Sequence, residues 1–301
     1  MDERAALALL EGELDPVGDD AAVVDDLVVT TDMLHERTDF PSGTSRYTAG
    51  WRSVGASLSD IAAMGATATA AVAAYAAPEF LADELLAFVR GARDVCERVD
   101  GEYVGGDLDG HEEFTVATTA IGRTDDPVPR SGARPGDAVC VTGTLGRSAA
   151  ALELFRRGER EDDADARERA NELFRFEPRI AAGRALAPHA TAMMDSSDGL
   201  ARSLHQLAEA SDCGFAIDAA DVPIDDAVRS LSESEAEALE RATTFGEDFE
   251  LVATVPETSL EAVREAVDVP LSRIGTVVEP ADGITLDGEA LADRGYTHGE
   301  A

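Results

Sequence analysis

Apolar and polar positions along the first part of the chain predict a mixture of strands and helices. Two short apolar runs within residues 21–33 are separated by Asp25-Asp26, which predicts a β-hairpin. Four apolar residues then recur at spacings of three and four, the spacing of one helix face: Trp51, Val54, Leu58 and Ile61. This spacing predicts a helix that ends near Gly65. A strand over residues 68–75, a helix over 79–99 and a strand over 114–121 follow.

The segment 124–137 is rich in Pro, Gly and charge, and it is the best domain boundary in the sequence. After it, the apolar run AVCVTG predicts a buried strand that turns through Gly143 and Gly146 into a helix. The charged segment 156–170 is typical of a solvated helix pair or loop, and a second α/β unit begins at Met193. We see no internal repeat. The sequence predicts an α/β (α+β) protein with two domains, residues 1–128 and 129–301.

The charge of the chain is extreme, with 61 acidic residues against 25 basic ones and a formal net charge of -36. Every basic residue is Arg, and there is no Lys. Such a surface repels itself in dilute buffer, but in molar salt the Debye length falls to roughly 3 Å. The composition therefore indicates a halophilic protein, although a generically acidic protein or one that binds cationic partners would share it. Nucleic acid is excluded as a partner, because phosphate contacts need a basic patch.

No targeting or membrane signal is visible in the sequence. The first thirteen residues carry charge and lack the apolar core of a signal peptide, and no apolar run approaches the length of a membrane span. The three cysteines are far apart, which predicts neither disulfides nor a metal knuckle. We expect a soluble, cytoplasmic protein.

The informative acids are those set among small or apolar residues, because a salt-adapted surface does not explain them. Five short segments qualify: GDDAA at 18–22, TTDM at 30–33, LSDI at 58–61, GGDL at 105–108 and MDSSDG at 194–199. A buried carboxylate needs a partner, and oxygen ligands without His or Cys favour Mg²⁺ or Ca²⁺. Simpler roles stay open: Asp19 or Asp20 as a turn cap, Ser197 or Asp198 as a helix N-cap, and Asp60 as a surface residue.

Familiar phosphate-binding motifs are absent. A GxxxxGK[ST] loop requires Lys, no G-x-G-x-x-G follows a strand, and the kinase catalytic-loop signature is missing. The Gly-rich segment 142–150 stands at a predicted strand-to-helix turn, where its amides could hold an anion or simply form a tight turn.

A series of motifs in fixed order resembles the thiamine-monophosphate kinase family, whose superfamily includes aminoimidazole ribonucleotide synthetase and selenophosphate synthetase. The motifs are GDDAAVV, TTDM, SLSDIAAMGA, GGD, RSGARPGD, VTGTLGRSAA, MDSSDGL, ASDCG, GEDFEL and RGYTH. The resemblance implies the two-domain fold of aminoimidazole ribonucleotide synthetase. It also implies a homodimer paired through the N-terminal sheets, with ATP and several Mg²⁺ ions in a cleft.

The resemblance also implies roles for individual residues. Magnesium ligands would be Asp20, Thr30, Thr31, Asp32, Asp60, Asp107, Asp195 and Asp198. ATP would contact Gly106, Asp107, Arg130 and Ser197. Thiamine monophosphate would contact Asp39, Glu247 and Tyr296.

Three positions depart from the family pattern. Asp39 stands where the family often has His; either His35, four residues earlier, substitutes for it, or the acid faces a cationic part of the substrate. The family's GGEDYEL is FGEDFEL at 245–251, and its GGDTT is GGDLD at 105–109. These departures affect the substrate pocket more than the metal site.

The reaction implied by the resemblance is transfer of phosphate from ATP to thiamine monophosphate. A phosphate acceptor has a second pKa of about 6, so it is already a dianion near neutral pH and needs no general base. Arg130 and Asp195 would then act electrostatically, in a direct in-line transfer without a phosphoenzyme. Two alternatives stay open: a non-catalytic nucleotide or metal sensor of the same fold, and a related enzyme with another acceptor.

Overall fold

The computed structural model describes residues 18–296, which form two β-sheets with helices around them. The charged N-terminal stretch, and Thr297 and His298 of the RGYTH motif, lie outside the described residues. One apolar core lies beneath the N-terminal sheet and continues into the second half through residues such as Met193 and Leu251. A second core fills the C-terminal half.

The N-terminal sheet has five strands in the order β1-β2-β5-β3-β4. Their bounds are β1 (Ala22–Val24), β2 (Leu27–His35), β3 (Thr67–Ala77), β4 (Glu102–Gly110) and β5 (Thr115–Arg123). β1 and β2 form the predicted hairpin, turning at Asp25 with a φ of 56°. β4 pairs parallel to β3 and lies at the edge of the sheet.

Within residues 18–128, three helices accompany this sheet: α1 (Glu36–Asp39), α2 (Arg46–Ala63) and α3 (Ala82–Arg98). Nearly every residue of α2 is buried, since it packs on the N-terminal sheet, on α3 and on elements of the C-terminal half. Its small residues permit this: a Cβ on Gly50 would lie 2.1 Å from the carbonyl oxygen of Phe88 in α3. The helix thereby carries its polar residues into the interior between the two halves.

The C-terminal sheet has seven strands in the order β12-β11-β8-β10-β6-β9-β7. Their bounds are β6 (Asp137–Thr142), β7 (Ala192–Asp195), β8 (Gly214–Ile217), β9 (Leu251–Pro256), β10 (Leu271–Val278), β11 (Ile284–Leu286) and β12 (Glu289–Ala290). All ladders except that between β8 and β11 are antiparallel. β6 is fully buried, as its apolar run predicts.

The described part of the C-terminal half, up to residue 296, contains seven α-helices. They are α4 (Arg147–Glu161), α5 (Ala164–Phe174), α6 (Ile180–Leu186), α7 (Leu200–Ser211), α8 (Asp226–Ser230), α9 (Glu235–Thr244) and α10 (Leu260–Ala266). The charged segment 156–170 is the exposed junction of α4 and α5, so the solvated helix pair is confirmed. Every helix within residues 18–296 is too short or too polar to cross a bilayer.

The predicted α/β (α+β) fold is confirmed, and the predicted helices and strands of the N-terminal half lie within a few residues of the observed ones. The sequence prediction missed β4, because its GGDLDG segment combines residues that disfavour strands. Since β6 joins the same sheet as β7, the C-terminal half is one unit from residue 137 rather than one that begins at Met193. The boundary at residue 128 stays a prediction.

Candidate functional site

Three carboxylates from distant parts of the chain meet at the junction of the two halves. Asp20 precedes β1, Asp60 lies in the last turn of α2, and Asp195 ends β7. One oxygen of each lies within 4.8 Å of the others, the only such group of His, Cys, Asp or Glu side chains found in residues 18–296. The fold therefore brings together three of the five acidic segments that the sequence singled out.

Each carboxylate of this Asp cluster (Asp20, Asp60 and Asp195) has its own hydrogen-bond donor. The Thr30 hydroxyl donates to Asp60 at 2.6 Å, and the Ser59 hydroxyl donates to Asp195 at 2.6 Å. The Ser197 hydroxyl also donates to Asp195, at 2.7 Å. Arg130 binds both oxygens of Asp20, at 3.0 and 3.2 Å. The neutral donors orient the carboxylates without cancelling their charge.

The pKa values of the buried acids show that the negative charge of the Asp cluster exceeds the positive charge beside it. Burial raises the pKa of Asp60 well above its ordinary value, and the charges of Asp32, Asp195 and Asp20 add to the effect. Burial, then the charge of Asp20, raises the pKa of Asp195 to about 6. Burial lowers the pKa of Arg130, but Asp20 outweighs it and the net change is upward. Clustered buried carboxylates facing a single Arg require a further cation to be ionised together, and an all-oxygen donor set fits Mg²⁺ or Ca²⁺.

β2 directs alternate side chains of the TTDM motif to opposite faces. Thr30 and Asp32 face α2, where the Ser57 hydroxyl donates to Asp32 at 2.5 Å and burial raises the pKa of Asp32. Thr31 is exposed on the other face, and its hydroxyl donates to the Thr118 carbonyl at 2.8 Å. The structure therefore brings Thr30 and Asp32 towards the Asp cluster, but not the Thr31 hydroxyl.

Gly106 and Asp107 lie on the exposed edge strand β4, and Asp107 is not part of the Asp cluster within the described chain. Gly106 has a φ of 157°, and a Cβ there would lie 1.8 Å from the carbonyl oxygen of Ala73 in β3. Beside them, β4, β3 and α3 line an open groove of about 610 Å³. Val104 and Leu108 of β4 are 58% and 50% exposed.

The three residues expected to contact thiamine monophosphate line one cavity of about 180 Å³: Asp39, Glu247 and Tyr296. The Tyr296 hydroxyl donates to Asp39 across it at 3.4 Å. Asp39 also accepts from the backbone N–H of His35 at 2.7 Å and from the Thr38 hydroxyl. Phe174 and Phe245 supply apolar wall. This cavity, called the substrate cavity below because of that expectation, combines two carboxylates with flat apolar surface.

Arg52, which the sequence analysis did not single out, is hydrogen bonded to Glu247. It is 1% exposed, and it donates to the Glu247 carboxylate at 2.8 Å and to the Glu247 carbonyl at 3.0 Å. It also donates to the Phe174 carbonyl at 2.8 Å, with its guanidinium 3.6 Å from the centre of the Phe174 ring. Burial lowers the pKa of Arg52, and Glu247 opposes this. Arg52 thus fixes a carboxylate and a ring of the substrate cavity together.

The loop 195–198 joins the Asp cluster to the substrate cavity. At its start, Asp195 belongs to the cluster. The Ser197 carbonyl accepts from the N–H of Glu247 at 2.6 Å, and the Asp198 carbonyl accepts from the N–H of Tyr296 at 3.1 Å. Ser57 and Ser59, whose hydroxyls donate to Asp32 and Asp195, could have been found from the sequence because they belong to the SLSD motif. Nothing in the sequence indicated a role for Arg52.

Comparison with known proteins covers the whole chain. Residues 18–124 match the N-terminal domain of the AIR synthase related proteins, and residues 134–287 match their C-terminal domain. A thiamine-monophosphate kinase of Halobacterium salinarum is 66% identical, over 99% of this chain and 100% of the relative. One of Methanospirillum hungatei is 38% identical over 99% of each chain. A solved structure described as AaThiL complexed with AMPPCP and TMP is 29% identical and superposes with a TM-score of 0.88, covering 99% of this chain and 97% of that one.

Proposed function

The chain belongs to the thiamine-monophosphate kinase family, and we propose that it transfers the γ-phosphoryl group of ATP to thiamine monophosphate, giving thiamine diphosphate and ADP. The observation that carries the proposal is the loop 195–198, which ties the Asp cluster to the substrate cavity through backbone hydrogen bonds. A phosphoryl transfer between two anionic substrates needs a cation site next to an acceptor site, and this loop supports both.

The substrate cavity suits thiamine monophosphate chemically. Its thiazolium ring is a flat cation, and Asp39 and Glu247 are carboxylates beside the apolar surface of Phe174 and Phe245. Asp39, where the family often has His, would face the positive charge. Tyr296 would close the cavity by contacting the substrate and Asp39 together.

Magnesium would be held by Asp20, Asp60 and Asp195, with Asp32 and Thr30 alongside. The resemblance adds Thr31, Asp107 and Asp198 to the proposed ligand set, although in this structure the Thr31 hydroxyl faces away from the Asp cluster and Asp107 lies on the edge strand β4. When bound, Mg²⁺ would neutralise phosphate oxygens and align the donor with the acceptor. Ser59, Thr30 and Ser197 orient the carboxylates in advance, so little reorganisation accompanies binding.

Several groups of the chain would contact ATP: Gly106, Asp107, Arg130 and Ser197. Arg130 keeps its charge beside Asp20 and would contact phosphate oxygens through the rest of its guanidinium fork. No residue is needed as a general base, because the acceptor phosphate is ionised near neutral pH. The transfer would be direct and would leave no phosphorylated residue.

We further propose a homodimer paired through the N-terminal sheets. β4 is an edge strand whose apolar side chains Val104 and Leu108 face solvent, and exposed edges of this kind favour pairing. Pairing there would also cover the groove beside Gly106 and Asp107.

Product analysis after incubation with ATP, Mg²⁺ and thiamine monophosphate in molar KCl tests the function. Thiamine diphosphate formed one-for-one with ADP is the expected result. ADP without thiamine diphosphate would indicate a different acceptor. Absence of turnover in protein shown to be folded in that buffer would favour the sensor alternative, and a trapped phosphoprotein would refute direct transfer.

A further inference from the structure

A cavity of about 270 Å³ lies apart from both sites described above. Its walls come from α2, the end of α3, the start of α4 and the segment that follows α5. Four arginines line it: Arg98, Arg147, Arg175 and Arg179. So many positive side chains around one cavity are unexpected in a chain with a net charge of -36.

Three of these arginines form no ion pair with any described residue. Within residues 18–296, the arginines without a carboxylate partner are Arg90, Arg98, Arg134, Arg147, Arg156, Arg175 and Arg184. Arg147 donates only to the carbonyls of α5 residues, and Arg175 donates to the Thr48 hydroxyl. Although the chain is rich in acids, no described carboxylate pairs with Arg98, Arg147 or Arg175, and all three line the same cavity.

Most acids of the cavity wall are already engaged. Glu250 accepts two hydrogen bonds from Arg179, at 2.5 and 2.7 Å. Asp248 accepts from the N–H groups of Gly146 and Ser148, at 2.5 and 2.8 Å. The Glu172 carboxylate accepts from Arg169, and Glu177 is exposed at the rim. The wall carries four arginines and four carboxylates, but Arg179 pairs with Glu250, and Glu172 pairs with Arg169 outside the cavity. The other three guanidinium groups therefore face only Asp248 and Glu177, and burial raises the pKa of Asp248 to about 7, which leaves a small excess of positive charge.

We propose that this cavity binds a phosphate-type oxyanion, as the free ion or as the phosphate of a small metabolite. Guanidinium groups bind such oxygens through paired N–H donors. In molar salt only direct contacts of this kind survive, because charges farther apart are screened. The Ser148 hydroxyl, on the cavity wall, donates to the Glu247 carbonyl at 2.7 Å, so an occupant would lie one residue from the substrate cavity.

The protein contains a direct reporter of occupancy. Trp51 is the single tryptophan of the chain and lines this cavity. Its indole N–H donates to the Phe176 carbonyl at 2.5 Å, also in the cavity wall. The full-length protein in a molar potassium salt with EDTA would be titrated with inorganic pyrophosphate while tryptophan fluorescence is recorded. EDTA removes divalent metal, so the Asp cluster has no bound cation with which to hold the probe.

We expect a saturable fluorescence change in the wild type and in Arg156→Gln, an exposed unpaired arginine on α4 outside the cavity. Arg98→Gln and Arg175→Gln should each bind about tenfold more weakly, the loss of one charged hydrogen bond. Arg98 is exposed and makes no ion pair, so its variant should fold normally. Equal binding of orthophosphate and pyrophosphate indicates a site for a single phosphate group, and preference for pyrophosphate indicates a site for a larger phosphate-bearing ligand. No saturable change in the wild type, or wild-type affinity in both cavity variants, overturns the proposal.

Discussion

Replacing Arg52 by lysine tests whether one buried guanidinium organises the substrate cavity. The substitution keeps the positive charge but removes the planar fork that reaches the Phe174 carbonyl and the Glu247 carbonyl and carboxylate at once. A lysine ammonium has a single nitrogen, which cannot take the places of both the guanidinium nitrogen that donates to the Phe174 carbonyl and the one that donates to Glu247. Arg52→Lys should therefore release Glu247 or leave the Phe174 carbonyl without a donor.

The magnitude follows from the bonds lost. Hydrogen bonds to charged groups contribute about 1.5–3 kcal/mol each, so losing one or two of them should lower the free energy of unfolding by about 2–4 kcal/mol. Because Glu247 lines the substrate cavity, the KM for thiamine monophosphate should rise about tenfold, which corresponds to about 1.4 kcal/mol. The KM for ATP should change far less.

Denaturant unfolding and steady-state kinetics in molar KCl measure both effects. Arg156→Lys is the matched control, since Arg156 is exposed and unpaired, and its stability should stay within about 0.5 kcal/mol of the wild type. A double-mutant cycle with Glu247→Gln should give non-additive losses, because the two side chains are hydrogen bonded. Wild-type stability and an unchanged KM in Arg52→Lys would refute the positioning role.

Four further predictions follow from the site, the charge and the edge strand. Asp60→Asn should lower turnover at least about 100-fold while the circular dichroism spectrum stays native; near-normal turnover would remove Asp60 from the metal site. In EDTA, stability should rise by up to about 3 kcal/mol as the pH falls from 7 towards 4, because the pKa of Asp195 in the folded protein, about 6, exceeds its ordinary value and the proton binds the folded state more tightly. Asp195→Asn should flatten this rise, and an unchanged pH profile in that variant would contradict the assignment. Secondary structure and activity should both fall as KCl is diluted below molar concentration, and full activity in dilute buffer would contradict salt adaptation. Val104→Asp should halve the mass in light scattering if β4 pairs the subunits, and a dimer that persists would place the interface elsewhere.

The sequence predicted the residues of the Asp cluster because each of these acids interrupts a segment of small or apolar residues. Asp60 follows Leu58 and Ser59 on a buried helix, and Asp195 ends a buried strand, so solvation explains neither. Spacing could not show that they meet, because Asp20, Asp60 and Asp195 are brought together only when α2 is packed between the two halves. The motif resemblance supplied that convergence in advance.

Arg52 and β4 were missed for different physical reasons. Arg52 sits beside Trp51 in a helix whose periodicity marks an apolar face, and a buried cation becomes visible only once its carbonyl and carboxylate partners are in place. The GGDLDG segment of β4 is poor in strand formers, so local preference argued against a strand that its parallel ladder with β3 stabilises. Both misses concern contacts between residues far apart in the chain.

The acids of this protein divide into two groups that respond to different ions. Exposed acids repel one another across the surface, and salt with a Debye length of roughly 3 Å screens that repulsion without any specific binding. The Asp cluster lies in the interior, where mobile salt screens charges far less, so molar KCl cannot substitute for a cation bound among Asp20, Asp60 and Asp195. The requirements for the two cations should therefore separate: KCl should govern folding of the whole chain, and Mg²⁺ should govern turnover at a fixed, folded state. Stability that depended on Mg²⁺ and not on KCl would mean that the surface acids are paired rather than screened.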